Sequence, residues 1–323
     1  MTTPIALLGL GEIARSHHIP ALQQSAQWQL AATVSRSTAV AGIENFHNVE
    51  ELLAARPDIP VLSLCMPPAP RFEIASKALQ AGRHIMLEKP PGATVSECRQ
   101  LEQLAAQSGL TLFATWHSRE AAVLDQCQQW LSDKQIKGFD ITWKEDVRRW
   151  HAGQEWIWQP GGMGVFDPGI NALSILTKIL PVGVRVISAE LETPSNRHTP
   201  IGARVTMATA SGAVGSACFD WRQEGEQIWE IRITTDAGEL QLTDGGAAVS
   251  INGEPLPAPL IRAPLIKSPV TNGNTLSDEY PRLYQRMHSL VQERASDCDF
   301  TPLQLVADAF MLARHHSTDR FEF

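Results

Sequence analysis

The sequence is short of basic residues and contains no long hydrophobic run. Its 27 lysines and arginines against 35 acidic residues give a formal net charge of -8, the wrong sign for a protein that wraps an anionic nucleic acid. No apolar run reaches the roughly 20 residues that a membrane-spanning helix needs. The short apolar stretch at residues 5–10 lacks the basic flank of a signal peptide. We therefore expect a soluble, cytoplasmic protein that binds neither nucleic acid nor membrane.

Cysteine and tyrosine are also scarce. The five cysteines are odd in number and form no CxxC pair, which argues against a disulfide framework and against a structural zinc site. The only tyrosines, Tyr280 and Tyr284, do not begin a YxxxK pair, so a short-chain-type Tyr/Lys site is excluded. There is no HExxH motif and no cluster of cysteine and histidine for a catalytic zinc. We predict no metal site.

The chain has 323 residues, 43% of them hydrophobic, and is long enough for two domains. Its first third alternates short apolar runs with helical patterns, which is typical of a doubly wound parallel α/β sheet of the Rossmann type. The predicted strands are 4–8, 28–34, 59–64, 84–87 and 110–114. The predicted helices are 13–25, 49–55, 71–81 and 95–107, the last with Thr94 as its N-cap. We assign residues 1–118 to a dinucleotide-binding domain.

Strand-like runs then follow one another, which indicates a C-terminal α+β domain at residues 119–323 with an open, mainly antiparallel sheet. The predicted strands lie at about 139–148, 185–193, 201–209, 214–221, 228–235 and 247–251. Helices are predicted at 121–133, at 166–180 and twice within 276–314. The proline-rich stretch 255–269 is typical of an exposed loop or of an arm across a neighbouring surface.

The segment from Gly9 to Ala14 is a GxGxxA turn that follows a predicted strand and opens a predicted helix. The first glycine permits a tight turn, Gly11 lets the backbone approach a pyrophosphate, and Ala14 keeps the helix close to the strand. Free amides at the start of the helix, at Glu12 and Ile13, attract the anion. The pattern predicts a dinucleotide site; the alternative is an ordinary glycine-rich turn that binds nothing.

The end of the second predicted strand indicates which nicotinamide cofactor is bound. An NAD site has an acidic residue there to hold the ribose 2′-hydroxyl, whereas this sequence has Ser35, Arg36 and Ser37. Two hydroxyls flanking a guanidinium suit a 2′-phosphate, which an acid would repel. We predict NADP, with NAD as the alternative if Arg36 is only a solvated charge. The ends of the next two strands complete the predicted cofactor site with Cys65, Pro67, Pro68, Glu88 and Lys89.

Lys89, which follows the fourth predicted strand, is the first candidate for the chemistry. It lies at the carboxyl edge of the sheet, where ligands of doubly wound sheets bind. Its ammonium can hydrogen-bond a hydroxyl under oxidation and stabilise the alkoxide character that develops. The alternative is a surface lysine in a proline-rich turn.

Asp167 and Asn171 are the candidates from the second domain. They follow the glycine-rich segment 161–164 and, being four residues apart on a predicted helix, share one face that can meet a ligand. Asp167 followed by Pro168 is, however, also the pattern of an N-cap and the first helical residue. The residues alone leave the two interpretations open.

Strand alternation predicts that Glu145 lies on the apolar face of its strand. A buried carboxylate needs a partner, for which a hydroxyl-rich substrate or Lys89 is suited. Four of the nine tryptophans crowd the same region, and aromatic faces beside charged groups suit sugar rings, although core tryptophans are at least as common. These four are Trp143, Trp150, Trp156 and Trp158.

The histidines of the first predicted domain have weaker functional signals. His117 closes the fifth predicted strand near the expected domain cleft, where a structural histidine is the more usual outcome. His17 and His18 lie on the first helix, and no chemistry is assigned to them.

Four segments of the sequence resemble the Gfo/Idh/MocA family of oxidoreductases, and the resemblance runs over nearly the whole chain. They are GLGEIARSHHIPAL from residue 9, EKPPGAT from residue 88, TLFATWHSR from residue 111 and the long block from Trp143 to Ile175. Within the family, the last block is similar to the bacterial L-arabinose and D-galactose 1-dehydrogenases. The resemblance implies that Lys89 lies between nicotinamide and substrate, with Asp167 and Asn171 facing it. It also implies a homodimer paired through the open sheet face.

The sequence departs from the family at one position. Many members carry a histidine, usually taken as the base, where this chain has Asn171. Asparagine cannot take up a proton at neutral pH, so the base is Asp167, Lys89 in its neutral form, or a water molecule. We prefer Asp167.

The resemblance implies oxidation of the anomeric hydroxyl of a cyclic aldose to its lactone, with hydride transfer to NADP. L-Arabinose, D-galactose and D-fucose share a ring configuration, so one pocket can accept all three. The alternatives are another polyol or sugar dehydrogenase of the family and a non-catalytic sensor of nucleotide and sugar. The predicted substrate-binding residues are His117, Glu145, Trp150, His151 and Asn171.

Overall fold

The computed structural model describes residues 2–257 and 279–322, which form two compact units. The first unit contains residues 2–120 and 279–300, and the second contains residues 121–257 and 301–322. The sequence-based division after residue 118 differs from this arrangement, because a helix late in the chain belongs to the first unit. Within the described ranges, no helix combines the length and the apolar character needed to cross a membrane.

The first unit is built on a six-stranded parallel sheet with the order β3-β2-β1-β4-β5-β6. Its strands are β1 (Thr3–Leu8), β2 (Trp28–Val34), β3 (Glu44–Phe46), β4 (Val61–Leu64), β5 (His84–Leu87) and β6 (Leu112–Ala114). The predicted Rossmann-type sheet is confirmed. The sequence does not predict β3, because a strand of three residues with a single buried side chain is too short to show alternation.

The helices of the described residues connect and cover the two sheets. They are α1 (Ile19–Gln23), α2 (Val49–Ala55), α3 (Arg71–Gln80), α4 (Val95–Gln107), α5 (Leu124–Leu131), α6 (Val147–Trp150), α7 (Phe166–Ile179), α8 (Glu279–Glu293) and α9 (Thr301–Leu312). Thr94 caps α4 in a capping box with Glu97, as predicted. The helix predicted at 13–25 is present as one continuous helical segment over residues 12–23, in which a π-helical turn, Ala14–His18, precedes α1.

The helix α8 belongs to the first unit because its apolar face completes the core of that unit. Five side chains at helical spacing on α8 are each at most 1% exposed: Tyr280, Leu283, Tyr284, Met287 and Leu290. They pack with buried residues of β1, of β2 and of the helical segment after β1. The indole nitrogen of Trp28 also donates a hydrogen bond to the carbonyl of Tyr284.

The second unit is built on a nine-stranded sheet with the order β14-β13-β12-β11-β7-β10-β9-β8-β15. Its strands are β7 (Ile136–Lys144), β8 (Val184–Pro194), β9 (Gly202–Thr209), β10 (Val214–Asp220), β11 (Ile228–Thr235), β12 (Gly238–Thr243), β13 (Ala248–Ile251), β14 (Glu254–Pro255) and β15 (Ala313–Thr318). Only the pairs β10–β7 and β15–β8 are parallel, so the predicted mainly antiparallel sheet is confirmed. The helix α7 contacts β7, α5 and α9.

The C-terminal part of the chain differs from its prediction in one respect. The two helices predicted within 276–314 are α8 and α9, but the chain after Leu312 continues as β15 rather than as helix. Residues 276–278, and residues 258–269 of the predicted proline-rich loop, lie outside the described residues.

Candidate active site

The predicted cofactor residues follow the carboxyl ends of four adjacent strands of the first sheet. Residues 9–13 follow β1, residues 35–37 follow β2, residues 65–68 follow β4, and Glu88 and Lys89 follow β5. The strand order reverses between β1 and β4, and doubly wound sheets bind their ligands at such a switch point. The structure therefore brings the predicted cofactor residues to one edge of the sheet.

The turn after β1 has the geometry that the GxGxxA pattern requires. Gly9 has a φ of +89°, and a Cβ there would lie 2.7 Å from the backbone nitrogen of Met66. A Cβ at Gly11, by contrast, would meet nothing within 4 Å, so the space beside its backbone is open. Ala14 is 1% exposed and packs into the core. These features fit a pyrophosphate at the exposed amides of this turn.

The segment after β2 offers a cation to a ligand. The Ser35 hydroxyl lies 3.0 Å from Oγ1 of Thr38, and its carbonyl accepts a hydrogen bond from Asn45, so the turn is held in place. Arg36 and Ser37 are exposed, and Arg36 makes no ion pair or hydrogen bond with any described residue. A guanidinium at this position is suited to an anionic group of a ligand.

The turn that carries Lys89 is held from inside the first unit. Lys89 itself is half-buried, and the residues on both sides of it are buried. The guanidinium of Arg71, 1% exposed, donates hydrogen bonds to the carbonyls of Glu88, Pro90 and Met66. Arg71 thus ties the Lys89 turn to the loop that follows β4.

The Glu88 carboxylate is engaged within the first unit. Its Oε1 accepts a hydrogen bond from the Tyr280 hydroxyl at 3.3 Å. Its Oε2 lies 3.3 Å from Nε2 of His18 and 3.3 Å from Oγ1 of Thr115, whose hydroxyl donates more closely to the Leu87 carbonyl at 2.8 Å. Burial alone would raise the pKa of Glu88, but the contact with His18 outweighs burial and lowers this pKa to about 2. The predicted cofactor role of Glu88 therefore rests on its position beside Lys89 and not on a carboxylate directed outward.

His18, to which sequence analysis assigns no chemistry, is the partner of that carboxylate. Its side chain is fully buried, and its Nδ1 lies 2.7 Å from the Tyr284 hydroxyl. Burial alone would lower the pKa of this imidazole, yet Cys65, Tyr284 and Glu88 together raise it well above the ordinary value of 6.5. The first unit therefore contains a buried ion pair next to Lys89.

His117 is a paired residue of the first unit. It is 7% exposed in a 3₁₀ turn, its Nδ1 lies 3.0 Å from Oε2 of Glu279, and its ring stacks on Tyr280 at 5.7 Å between centroids. His17 stacks on the same tyrosine, and burial lowers the pKa of His17 to about 4. His117 thus has the partners of a structural histidine, and its contact with substrate stays a prediction.

In the second unit, Glu145 follows the end of β7 and is 5% exposed, on the buried side that the alternation predicts. Its Oε2 accepts a hydrogen bond from the indole nitrogen of Trp229 at 3.1 Å. Its Oε1 lies 3.4 Å from Nε2 of His151. The carboxylate that sequence analysis expects to need a partner has two of them within its own unit.

His151 lies between two carboxylates. Its Nδ1 lies 3.9 Å from Oδ2 of Asp167, on the side opposite its contact with Glu145. Asp167 is 4% exposed in the first turn of α7, where the helix dipole favours an anion. The N-cap of α7 is Val165, so the interpretation of Asp167 as an N-cap is wrong. We call Glu145, His151 and Asp167 the acid–histidine cluster.

The entry to α7 depends on one glycine. Gly164 has a φ of +54°, and a Cβ there would lie 2.3 Å from the carbonyl oxygen of Pro200. Only glycine permits this close approach, after which α7 begins and sets Asp167 in its first turn. Asn171 follows one turn later and is half-buried, so the predicted shared face is present.

Some tryptophans of this region belong to the hydrophobic core, and others lie beside the acid–histidine cluster. Trp143 and Trp158 are core residues, at 6% and 0% exposure. Trp150 is half-buried, donates to the side chain of Gln227 at 3.3 Å, and meets Trp229 edge to face at 5.6 Å between centroids. Trp150 and Trp229 thus border the acid–histidine cluster.

Several residues that build these sites leave no local signal in the sequence. Besides His18, they are Arg71, Thr115, Tyr280, Tyr284 and Trp229. The one available hint is that the only two tyrosines lie four residues apart on an apolar helical pattern. Within the described part of the chain, no group of three or more histidine, cysteine or acidic side chains is arranged to hold a metal ion.

Comparison with known proteins identifies the family. Residues 4–115 match the GFO_IDH_MocA model, described as an oxidoreductase family with an NAD-binding Rossmann fold. The chain is 36% identical to the galactose 1-dehydrogenase of Pseudomonas fluorescens over 98% of both proteins. The chain therefore belongs to the Gfo/Idh/MocA oxidoreductase family, as the sequence resemblance indicates.

Solved structures support the same assignment. A crystal structure of a D-galactose-1-dehydrogenase protein from Rhizobium etli has a TM-score of 0.90 and 45% identity, covering 99% of this chain and 98% of that one. A 3-ketoreductase from Actinomadura kijaniata, solved in complex with NADP and TDP-benzene, has a TM-score of 0.82 over 98% of this chain and all of that one. At 18% identity this second likeness shows the shared fold alone.

Proposed function

We propose that this protein is an NADP-dependent aldose 1-dehydrogenase that oxidises the anomeric hydroxyl of D-galactose, L-arabinose or D-fucose to the lactone. The observation that carries the proposal is the full-length similarity to two galactose 1-dehydrogenases, at 36% and 45% identity. The acid–histidine cluster, bordered by Trp150 and Trp229, supports it, because carboxylates, imidazole and indole are suited to a polyhydroxylated ring.

In the proposed reaction, two residues act on the anomeric hydroxyl and five others hold the substrate. When bound, NADP would supply the acceptor for the hydride that leaves C1. Asp167 takes the proton of the anomeric hydroxyl, and Lys89 stabilises the negative charge that develops on the same oxygen. Asn171 cannot serve as the base, so its amide holds the substrate. Glu145, His151, His117 and Trp150 are proposed to bind the ring.

The preference for NADP rests on the segment after β2. Arg36 is exposed and free of ion pairs with the described residues, and the position of the usual NAD-binding acid is occupied by Ser35, Arg36 and Ser37. We also propose a cytoplasmic homodimer that pairs through the open face of the second sheet. Ile187 and Val214, 42% and 55% exposed on strands of that sheet, support this surface.

A direct assay tests the proposed function. The protein is incubated with NADP or NAD and a panel of aldoses and polyols, and formation of the reduced nicotinamide is followed by absorbance. We expect turnover with galactose-configured aldoses, faster with NADP than with NAD. Turnover of polyols alone would assign a different dehydrogenase of the family. Binding of NADPH and sugar without turnover of any substrate would indicate the sensor.

A further inference from the structure

We propose that His18 and Glu88 are positioning residues for Lys89, and that this buried pair couples the Lys89 turn to the helical segment at the dinucleotide-binding turn. The proposal rests on the proposed function, because it assigns Lys89 a role in catalysis. All the residues involved lie in the first unit.

The first step is the placement of His18. It ends the π-helical turn Ala14–His18, whose backbone hydrogen bonds run from i to i+5 instead of i to i+4, and π-helical turns frequently occur at functional sites. The same helical segment starts at the exposed amides of the turn after β1. His18 is buried completely, so its ring nitrogens need partners. Nδ1 lies 2.7 Å from the Tyr284 hydroxyl, and Nε2 makes no hydrogen bond within the described residues but lies at ion-pair distance, 3.3 Å, from Oε2 of Glu88.

The second step is the saturation of the Glu88 carboxylate. His18, Tyr280 and Thr115 surround its oxygens, so it is not available to a ligand. The next residue along the chain is Lys89, and the carbonyl of Glu88 is itself held by Arg71. With both its side chain and its carbonyl fixed, Glu88 leaves Lys89 little freedom in its backbone position.

The energetics of burying two charges favour a positioning role for the pair over a stabilising one. Removing two charges from water is unfavourable, and buried ion pairs are often no more stabilising than apolar residues of the same volume. Stability is therefore a weak reason for a buried ion pair at this place. Fixing the geometry of a reactive lysine is a stronger one, since a displacement of about 1 Å at a reacting group can cost about 100-fold in rate.

Helix α8 contacts both members of the His18–Glu88 pair. Tyr280 and Tyr284 lie one helical turn apart, and their hydroxyls meet Glu88 and His18 respectively. Tyr280→Phe removes the contact with Glu88, and Tyr284→Phe removes the contacts with His18 and Ser63, each with almost no change in volume. The chain thus offers mild variants beside the direct ones.

The test compares Glu88→Gln and Tyr280→Phe with Glu73→Gln, an isosteric change at an exposed position of α3. Three quantities are measured: kcat and KM for D-galactose with NADP, the Kd of NADPH by fluorescence, and the rate at which acetic anhydride labels Lys89, by mass spectrometry. We expect Glu88→Gln to lower kcat by about 10- to 100-fold and Tyr280→Phe by about threefold or more. KM and Kd should change less than threefold, labelling of Lys89 should change at least threefold, and Glu73→Gln should match the wild type.

A milder variant and a readout that needs no substrate complete the test. If Glu88→Gln does not fold, because His18 is left as an unpaired buried charge, Tyr280→Phe decides the question. Wild-type kcat and wild-type labelling of Lys89 in a folded variant, even with a lower melting temperature, would overturn the proposal. Labelling needs no substrate, so it still tests the positioning of Lys89 if the wild type oxidises no aldose, a result that would instead overturn the proposed function.

Discussion

The proposed preference for NADP over NAD rests on Arg36. A hydrogen bond to a charged group contributes about 1.5–3 kcal/mol, which corresponds to a factor of roughly 10 to 100 in binding. We therefore expect Arg36→Ala to raise KM for NADP by about tenfold or more and to leave KM for NAD nearly unchanged. Steady-state kinetics with each cofactor measures both effects. An equal change for NADP and NAD would show that Arg36 does not contact the 2′-phosphate.

The lowered pKa values of Glu88 and His17 predict two pH ranges in which stability falls, and these ranges overlap only between pH 4.5 and 4. The pKa of Glu88 is lowered from 4.5 to about 2, so this carboxylate stabilises the fold above pH 4.5, and the stabilisation is lost as the pH falls from 4.5 toward 2. Burial lowers the pKa of His17 from 6.5 to about 4, so stability also falls as His17 becomes charged between pH 6.5 and 4. The pKa of His18 is raised, so its contribution to stability is lost as the pH rises through the pKa that His18 has in the folded protein.

The variant Glu88→Gln separates these ranges. The variant should lose the fall in stability that Glu88 causes below pH 4.5. It should keep the fall that His17 causes between pH 6.5 and 4. Urea midpoints measured from pH 7 to pH 3 in the variant and the wild type test this expectation. Parallel curves for the two proteins below pH 4.5 would contradict the lowered pKa of Glu88.

Single residues show how far sequence reasoning extends at this scale. Gly9, Glu145 and Asp167 could be selected from motif, alternation and spacing, because each depends on its near neighbours in the chain. His18 could not, because its partners are Glu88 and Tyr284, 70 or more residues away in sequence, and no local pattern reports such contacts.

At the scale of elements, the turn between β1 and its helix gives a matched pair of variants. Gly9→Ala places a Cβ 2.7 Å from a backbone atom in a conformation that disfavours alanine, so we expect a loss of about 1–3 kcal/mol in stability. Gly11→Ala meets no atom within 4 Å, so the fold should be unchanged while NADP binding weakens by about tenfold or more. Thermal melting and NADPH titration of both variants measure these effects.

Wild-type behaviour of either glycine variant would contradict the corresponding prediction. If Gly11→Ala binds NADPH as tightly as the wild type, the open space beside Gly11 is not where the pyrophosphate lies. If Gly9→Ala has the same melting temperature as the wild type, the close approach to Met66 does not constrain the turn.

Elements whose identity comes from local pattern are found by sequence analysis, and elements made by distant pairing are not. The strands β2 and β5 and the helix α4 have the predicted bounds, because alternation, glycines and a cap mark them. β15 has an almost wholly exposed sequence and exists as a strand because it pairs with β8. α8 is predicted as a helix, but only its packing shows that it completes the first unit.

For the whole molecule, the sequence establishes a Rossmann-type unit, a second unit with a mainly antiparallel sheet, and the family. It misplaces the domain division, because residues 279–300 return to the first unit. The charge of -8 and the full-length similarity to galactose 1-dehydrogenases both favour a small-molecule enzyme over a nucleic-acid-binding protein.

The most direct measurement is the fate of the hydrogen at C1. D-Galactose carrying deuterium at C1 is oxidised with NADP, and the reduced nicotinamide is analysed by mass spectrometry, with Lys89→Ala as the inactive control that still binds NADPH. We predict one deuterium in each molecule of NADPH formed by the wild type and almost none formed by the variant. NADPH without deuterium would show oxidation at another carbon and would contradict the proposed function.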